Sequence, residues 1–154
     1  MPRAPATPAV VTGPAELLLA LRWLERRGGA SLDEALSAYR TFVDQPLETL
    51  ELAEELGLIA WQGLTLRLSA AGALLLSAPQ ESPALAEIAG RLELAAVRER
   101  LQAGPLHLSE LVPLFGGPLA EQGVRSLAEW GAWLGAWELR GTWLRPKPPP
   151  GDVP

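Results

Sequence analysis

The stretch LGLIAWQGLTLR (residues 56–67) returns in altered form as LGAWELRGTWLR (residues 134–145). Both copies begin with Leu-Gly, reach a second Gly after five residues and an Arg after three more. The offset is 78, and the same offset aligns further residues without a gap over some 37 positions. These pairs are Ser31 with Ser109, Leu36 with Leu114, and Glu51 with Glu129. A constant register of this length predicts two copies of one structural unit.

The first copy reads as a series of helices followed by a hairpin. Apolar residues at helical spacing predict a helix over 14–27, which Gly28-Gly29 ends. Ser31 and Glu34 have the spacing of a capping box for a second helix. A third helix is predicted from Pro46 to 56, where Gly57 stops it. Two extended runs, 58–61 and 64–68, predict a hairpin with Leu64, Leu66 and Leu68 on its buried face, and a helix over 70–77 follows.

The second copy follows the same plan with a longer first helix. We predict one helix over 83–103, and then a short helix behind Ser109 that Pro113 limits in length. Gly116-Gly117-Pro118 starts the predicted third helix. The second hairpin is predicted over 134–138 and 142–145.

Three helices followed by a two-stranded hairpin form the winged-helix plan, in which the hairpin is the wing. The predicted fold class is therefore mainly α with short β-hairpin wings (α+β), as two tandem winged-helix units. We place unit 1 at 13–78, a linker at 79–84 and unit 2 at 85–146. The segment 1–12 is predicted to be a disordered N-terminal tail, and 147–154 a Pro-rich tail.

Composition limits the classes of protein that the chain can represent. The 154 residues include no cysteine, which excludes a disulfide framework and fits a reducing compartment. No apolar run approaches the ~18 residues of a membrane span, so we expect a cytoplasmic protein without membrane insertion. The net charge is −5; residues 12–78 hold nine acids and five bases, and residues 85–147 hold seven of each. A nucleic-acid-binding domain usually has a basic face, which the first half lacks.

The third helices decide how well DNA binding fits. A recognition helix reads bases in the major groove with basic or amide side chains. The first third helix, PLETLELAEEL, has four glutamates and no basic residue, so a phosphate-lined groove would repel it. The second unit offers a phosphate-contacting patch, and the alternative interpretation is a normally solvated surface. Its candidate nucleic-acid-binding residues are Gln122, Arg125, Arg140, Arg145 and Lys147.

Tryptophans supply the candidate protein-binding residues. Four of them crowd into 14 residues of the second unit, and Trp61 lies on the first wing. Such residues either pack in the core and wings or serve as exposed anchors, because Trp is enriched at interface hot spots. The candidates are Trp61, Trp133, Trp137 and Trp143, with Trp61 and Trp143 favoured by their place on the wings.

Motifs for catalysis are not found in the sequence. It contains neither a phosphate-binding G-x-x-x-x-G-K-[ST] loop nor an H-E-x-x-H motif, and His107 is the only histidine. A structural role suits His107 better than catalysis, because no second His or Cys accompanies it. We therefore predict no catalytic, cofactor-binding or metal-binding residue, and no enzyme.

Two family resemblances fit this interpretation. LGLIAWQGLTLRLSAAG (56–72) and LAEWGAWLGAWELRGTWLRP (127–146), with Trp130-Gly131 in the matching place, lie within a region that is similar to a known domain. Over residues 50–146 the chain resembles the C-terminal AAA-associated domain of nitrate/sulfonate-type ABC transporter ATPases. That resemblance implies a regulatory or interaction domain without catalysis of its own. In general plan the chain also resembles the kleisin-interacting tandem winged-helix proteins.

The leading hypothesis is a non-enzymatic tandem winged-helix module that binds a protein partner. The alternative is a DNA-binding transcriptional regulator that uses the second unit. A homodimer through the first long helix or the wings is compatible with either.

Overall fold

The computed structural model describes residues 10–147, which are mainly helical with two small antiparallel sheets. Within this part of the chain the helices are α1 (Pro14–Arg27), α2 (Leu32–Tyr39), α3 (Pro46–Glu55), α4 (Ala70–Ser77), α5 (Pro83–Arg91), α6 (Leu94–Leu101) and α7 (Ala120–Trp133). The strands are β1 (Ile59–Gln62), β2 (Thr65–Leu68), β3 (Leu106–His107), β4 (Trp137–Arg140) and β5 (Trp143–Pro146). Short 3₁₀ turns lie at Pro79–Glu81, Leu108–Glu110 and Val112–Leu114.

The helix ends of the first half follow the signals in the sequence. The predicted bounds of α1 and α4 are confirmed, and Gly28 ends α1 in the left-handed region with φ 76°. At the start of α2 the Glu34 backbone N–H donates to Ser31 Oγ (3.2 Å), and the Ser31 backbone N–H donates to the Glu34 carboxylate (3.3 Å). This pair is the predicted capping box. The pKa of Glu34 is lowered, first of all by the hydrogen bond from the Ser31 backbone.

The two hairpins have the same geometry at the offset of 78. Ile59 pairs with Leu68 in the first hairpin, and Trp137 pairs with Pro146 in the second. The preceding helices also end alike, because the Leu58 N–H donates to the Ala53 carbonyl and the Ala136 N–H to the Gly131 carbonyl, at 2.9 and 2.8 Å. The constant register of the sequence repeat is therefore present in the backbone from the third helix through the hairpin.

The equivalence is looser before the third helices. In the first half Ala30 forms a single bridge to Leu66, whereas in the second half Leu106 pairs with Leu144 in the three-stranded sheet β3-β5-β4. The offset of 78 would place the partner of Leu144 at residue 108, but the partner is Leu106, two residues earlier. Neither of these additional pairings is part of the predicted hairpins.

The predicted helix over 83–103 is wrong, because it is divided into α5 and α6. Leu92 adopts an extended conformation (φ −94°, ψ 152°) between them. Ala84 and Ile88 of α5 pack in the core of the first half, whereas Val97 and Leu101 of α6 pack in the core of the second. The break lets each segment bury its apolar face in a different core.

The predicted helix behind Ser109 is also wrong, since two 3₁₀ turns replace it. Pro113 has no N–H to donate, and its ring would collide with the carbonyl four residues earlier, so an α-helix cannot continue through it. In the first hairpin both strands begin one residue later than predicted; in the second, β4 begins three residues later and β5 one residue later. Leu64 lies in a two-residue turn with 88% of its surface exposed, which corrects its predicted place on the buried face.

The predicted N-terminal tail does not extend to residues 10–12. Val10 and Thr12 are buried, and Thr12 makes hydrogen bonds to both halves of the chain. The predictions for residues 1–9 and 148–154 fall outside the described residues. Over residues 10–147, none of the helices has the length and apolar character needed to cross a membrane.

Candidate binding surface

The tip of the first hairpin exposes two large apolar side chains. Gly63 takes φ 65° at the first position of the two-residue turn, a conformation that favours glycine. Leu64 follows it, and Trp61 on β1 has 44% of its surface exposed. We call Trp61 and Leu64 the first-hairpin tip. Exposed apolar side chains of this size at a loop tip can be buried by a partner.

The second sheet presents an aromatic and charged outer face. Side chains alternate along a strand, so the residues paired across β4 and β5 share one side of the sheet. Glu138 pairs with Arg145, and Arg140 pairs with Trp143, whereas Trp137 and Leu144 point into the core. We define the outer face as His107, Glu138, Arg140, Trp143 and Arg145.

Trp143 is the central side chain of this outer face. It is 47% exposed and lies between Arg140 on β4 and His107 on β3. The rings of His107 and Trp143 meet edge to face with centroids 5.0 Å apart. His107 also has the structural role expected of it. Its Nδ1 accepts a hydrogen bond from the Ser109 backbone N–H (3.1 Å), and the His107 backbone N–H donates to the Glu110 carboxylate (2.7 Å).

Trp137 lies in the core and does not belong to a binding surface, contrary to the prediction. Only 2% of its surface is exposed, and its indole N–H donates to the Ala128 carbonyl at 2.9 Å. Gly131 has no side chain, and a Cβ there would overlap the indole ring. The structure therefore places Trp137 and Trp143 on opposite faces of one hairpin.

Trp133 is partly exposed at the end of α7. It exposes 39% of its surface and packs edge to face on the buried Trp130, with ring centroids 5.4 Å apart. Trp130 in turn joins the core of the first half. Trp133 thus lies beside the junction of the two halves, and not on a hairpin.

Thr12 links the two third helices at this junction. Its carbonyl accepts hydrogen bonds from Ser126 Oγ (3.1 Å) and from the Trp130 indole N–H (2.7 Å) of α7. The Thr12 hydroxyl lies 2.9 Å from the Thr49 hydroxyl on α3. The Thr49 hydroxyl donates its proton to the Gln45 carbonyl (2.7 Å). Thr12 is therefore the donor to Thr49. Both Ser126 and Trp130 are buried. One face of α7 therefore packs in the core of the second half, and a second face, which carries Ser126 and Trp130, is covered by the segment around Thr12.

The predicted nucleic-acid-binding residues divide among separate places. Arg140 and Arg145 share the outer face with Trp143. Lys147 lines a cavity of about 360 Å³ with Arg98 of α6, and Arg125 lines another of about 210 Å³ between α7 and the 3₁₀ turns. Gln122 is half-buried on α7. The structure thus brings together two of the five residues.

The charge of Arg125 acts on two carboxylates, Glu16 and Glu129, whose pKa values are nevertheless raised. Burial raises the pKa of Glu129 above its usual value, Arg125 opposes the rise, and Asp44 adds to it. Burial and the charge of Asp44 likewise raise the pKa of Glu16, although the Asp44 backbone N–H donates to its carboxylate at 3.3 Å. No group of three acidic or histidine side chains within residues 10–147 is arranged to hold a metal ion.

Comparison of the chain with family models, curated proteins and solved structures gives no match. The two family resemblances therefore stay predictions.

Two members of the exposed surface were missed at the level of sequence. The sequence predicts Leu64 in a strand, and it does not connect His107 with Trp143. The Gly63-Leu64 pair is a signal that corrects the first, because a two-residue turn fixes the register of its hairpin. The pairing of His107 with Trp143 joins β3 to β5 from outside the hairpin, and no local signal in the sequence predicts it.

Proposed function

We propose that the chain is a non-enzymatic, cytoplasmic tandem winged-helix module that binds a protein partner through its hairpins. The order of elements supports the fold assignment. The first half runs α1, the Ala30 bridge, α2, α3 and the hairpin β1-β2. The second runs α6, β3, two 3₁₀ turns, α7 and the hairpin β4-β5. Each half thus has a helix, a short strand or bridge, a second helix or helical turns, a further helix and a hairpin, which is the order expected of a winged-helix unit.

The third helices support binding to a protein more than to DNA. The solvent side of α3 carries Glu51 and Glu54, whose charges oppose a phosphate-lined groove. On α7, the contacts of Ser126 and Trp130 with Thr12 occupy a face that groove insertion would need. Of these surfaces, the hairpins are therefore the ones best suited to bind a partner.

The observation that carries the proposal is the exposure of Trp61 and Trp143, at 44% and 47%. An exposed fraction near one half corresponds to about 100 Å² of a tryptophan side chain. At ~25 cal/mol per Å², covering that area favours association by about 2–3 kcal/mol for each residue. An energy of this size is typical of an interface hot spot.

Affinity capture with matched variants tests the proposal. The wild-type chain is immobilised and exposed to an extract of the cells that make it, beside Trp61→Ala, Trp143→Ala and their double variant. Leu32→Ala is the control, because Leu32 is another exposed apolar residue (39%) that lies on α2 and in neither hairpin. We expect Leu32→Ala to retain the partner and the double variant to lose it at least about tenfold. Equal capture by the double variant would contradict the proposal.

The second candidate function is DNA binding through the second hairpin. The observation in its favour is that Arg140 and Arg145 flank the exposed Trp143 on the outer face. Glu138 lies opposite Arg145, which weakens the local positive charge. Titration of a labelled mixed-sequence duplex at low salt distinguishes the two functions. Binding that weakens as salt rises, and that Arg140→Ala reduces, would favour the DNA-binding function.

A further inference from the structure

A groove with two arginines lies between α1 and α4, and none of its lining residues belongs to a hairpin. It has a volume of about 470 Å³ and is lined by Leu19, Arg22, Glu25, Arg26, Leu76 and Ser77. Neither Arg22 nor Arg26 forms an ion pair with a carboxylate of residues 10–147. Even with Glu25 included, the groove keeps a net positive charge in a chain whose total charge is −5. Leu19, 45% exposed, adds an apolar contact at one end.

The solvent side of α3 has the opposite character. Leu47 is 50% exposed, and Glu51 and Glu54 follow it at spacings of four and seven residues on the same helix face. Within the described part of the chain neither glutamate forms an ion pair, whereas the neighbouring Glu55 is engaged by Arg91 at 2.6 Å. The α3 face therefore offers one leucine and two free carboxylates.

The groove and the α3 face match in spacing as well as in charge. Leu19, Arg22 and Arg26 lie at i, i+3 and i+7 on α1. Both sets span seven residues, which is about 10 Å along a helix. With the two helices side by side and parallel, Leu47 would meet Leu19, while Glu51 and Glu54 would meet Arg22 and Arg26.

We propose that the α1–α4 groove of one copy of this chain receives the α3 face of a second copy. The contact joins two different patches, so it is heterologous, and successive copies build a ring or an open array. Exposed ion pairs contribute little energy and are screened by salt, so the association is weak and salt-dependent.

Sedimentation velocity on the full chain measures this association. Protein concentration is varied from about 5 to 500 μM at ~25 mM and ~500 mM NaCl, where the Debye length falls from about 20 Å to a few ångströms. We expect the average mass to rise with concentration at low salt and to return to that of a single chain at high salt.

Charge reversal identifies the surfaces. Two double variants are made: Arg22→Glu/Arg26→Glu, and Glu51→Arg/Glu54→Arg. Each variant alone should remain a single chain. Their equimolar mixture should associate again, because the acidic groove of the first variant matches the basic α3 face of the second. Arg40→Glu is the control, since Arg40 is exposed, lies outside the groove and forms no ion pair with residues 10–147. Circular dichroism checks that each variant folds, and the alanine pairs at the same positions replace any that does not.

A single-chain mass at the highest concentration and low salt would overturn the proposal. The groove would then be a binding site for an acidic helix of another protein. Association that neither reversed pair reduces would overturn it as well. The proposal is independent of the hairpin surface, because Trp61→Ala and Trp143→Ala should leave the mass unchanged.

Discussion

Replacing Gly131 by alanine should destabilise the protein although alanine is the better helix former. Gly131 lies in α7 directly beneath the indole of Trp137, and the added Cβ would overlap the ring. The indole cannot move aside freely, because it is buried and its N–H is bonded to the Ala128 carbonyl at 2.9 Å. The helical preference for alanine contributes about 1 kcal/mol of stability. Overpacking costs about 1–3 kcal/mol, and the strained hydrogen bond costs about 1 kcal/mol more.

The free energy of unfolding should therefore fall by about 1–3 kcal/mol. Gly90 is the matched control, since it is also helical and nothing lies within 4 Å of the Cβ it would carry. Gly90→Ala should raise stability by about 0.5–1 kcal/mol. Urea denaturation followed by circular dichroism measures both changes. If Gly131→Ala proved as stable as the wild type, the buried position of Trp137 would be refuted.

Three further changes test other parts of the structure. Burial raises the pKa of Glu129, so this group stabilises the fold below its unfolded-state pKa, and that stability is lost as the pH rises through the higher folded-state pKa. Glu129→Gln should thus raise the melting temperature at pH 7 and have little effect at about pH 4; a gain that is independent of pH would contradict the assignment. Ser126→Ala removes one of the two donors to the Thr12 carbonyl and should cost about 1 kcal/mol in urea denaturation, and an unchanged midpoint would argue against the junction. Gly63→Ala and Gly141→Ala should each cost about 1–2 kcal/mol, because φ is 65° and 60°; unequal losses would show that the two turns differ.

Local signals in the sequence predicted the first half well. Pro14 and Gly28 bound α1, and Ser31 with Glu34 starts α2, because these residues satisfy or terminate backbone hydrogen bonding within a few residues. The repeat offset of 78 also survives in both hairpins, since the same turn geometry fixes the same register.

Features that depend on tertiary packing were not accessible from the sequence. Gly90 alone does not predict the break, because Gly90 itself is helical and the break falls at Leu92, which packs against both cores. Thr12 lies in a segment whose composition resembles a disordered tail, and its burial depends on α3 and α7, which are far away in the chain. Of the four candidate tryptophans, Trp137 is buried because strand alternation directs it to the same side of the hairpin as Leu144, and the sequence pattern alone does not show which side faces the core.

The central claim, that the hairpins bind a protein, is tested most directly by photo-crosslinking in cells. A benzophenone amino acid replaces Gln62 or Thr142, exposed neighbours of Trp61 and Trp143, and in the control it replaces Ala86, exposed on α5. The adducts are then treated with nuclease or with protease. Our account predicts adducts at positions 62 and 142, but not 86, that resist nuclease and yield a partner protein. Adducts that nuclease removes, or equal adducts at all three positions, would contradict it.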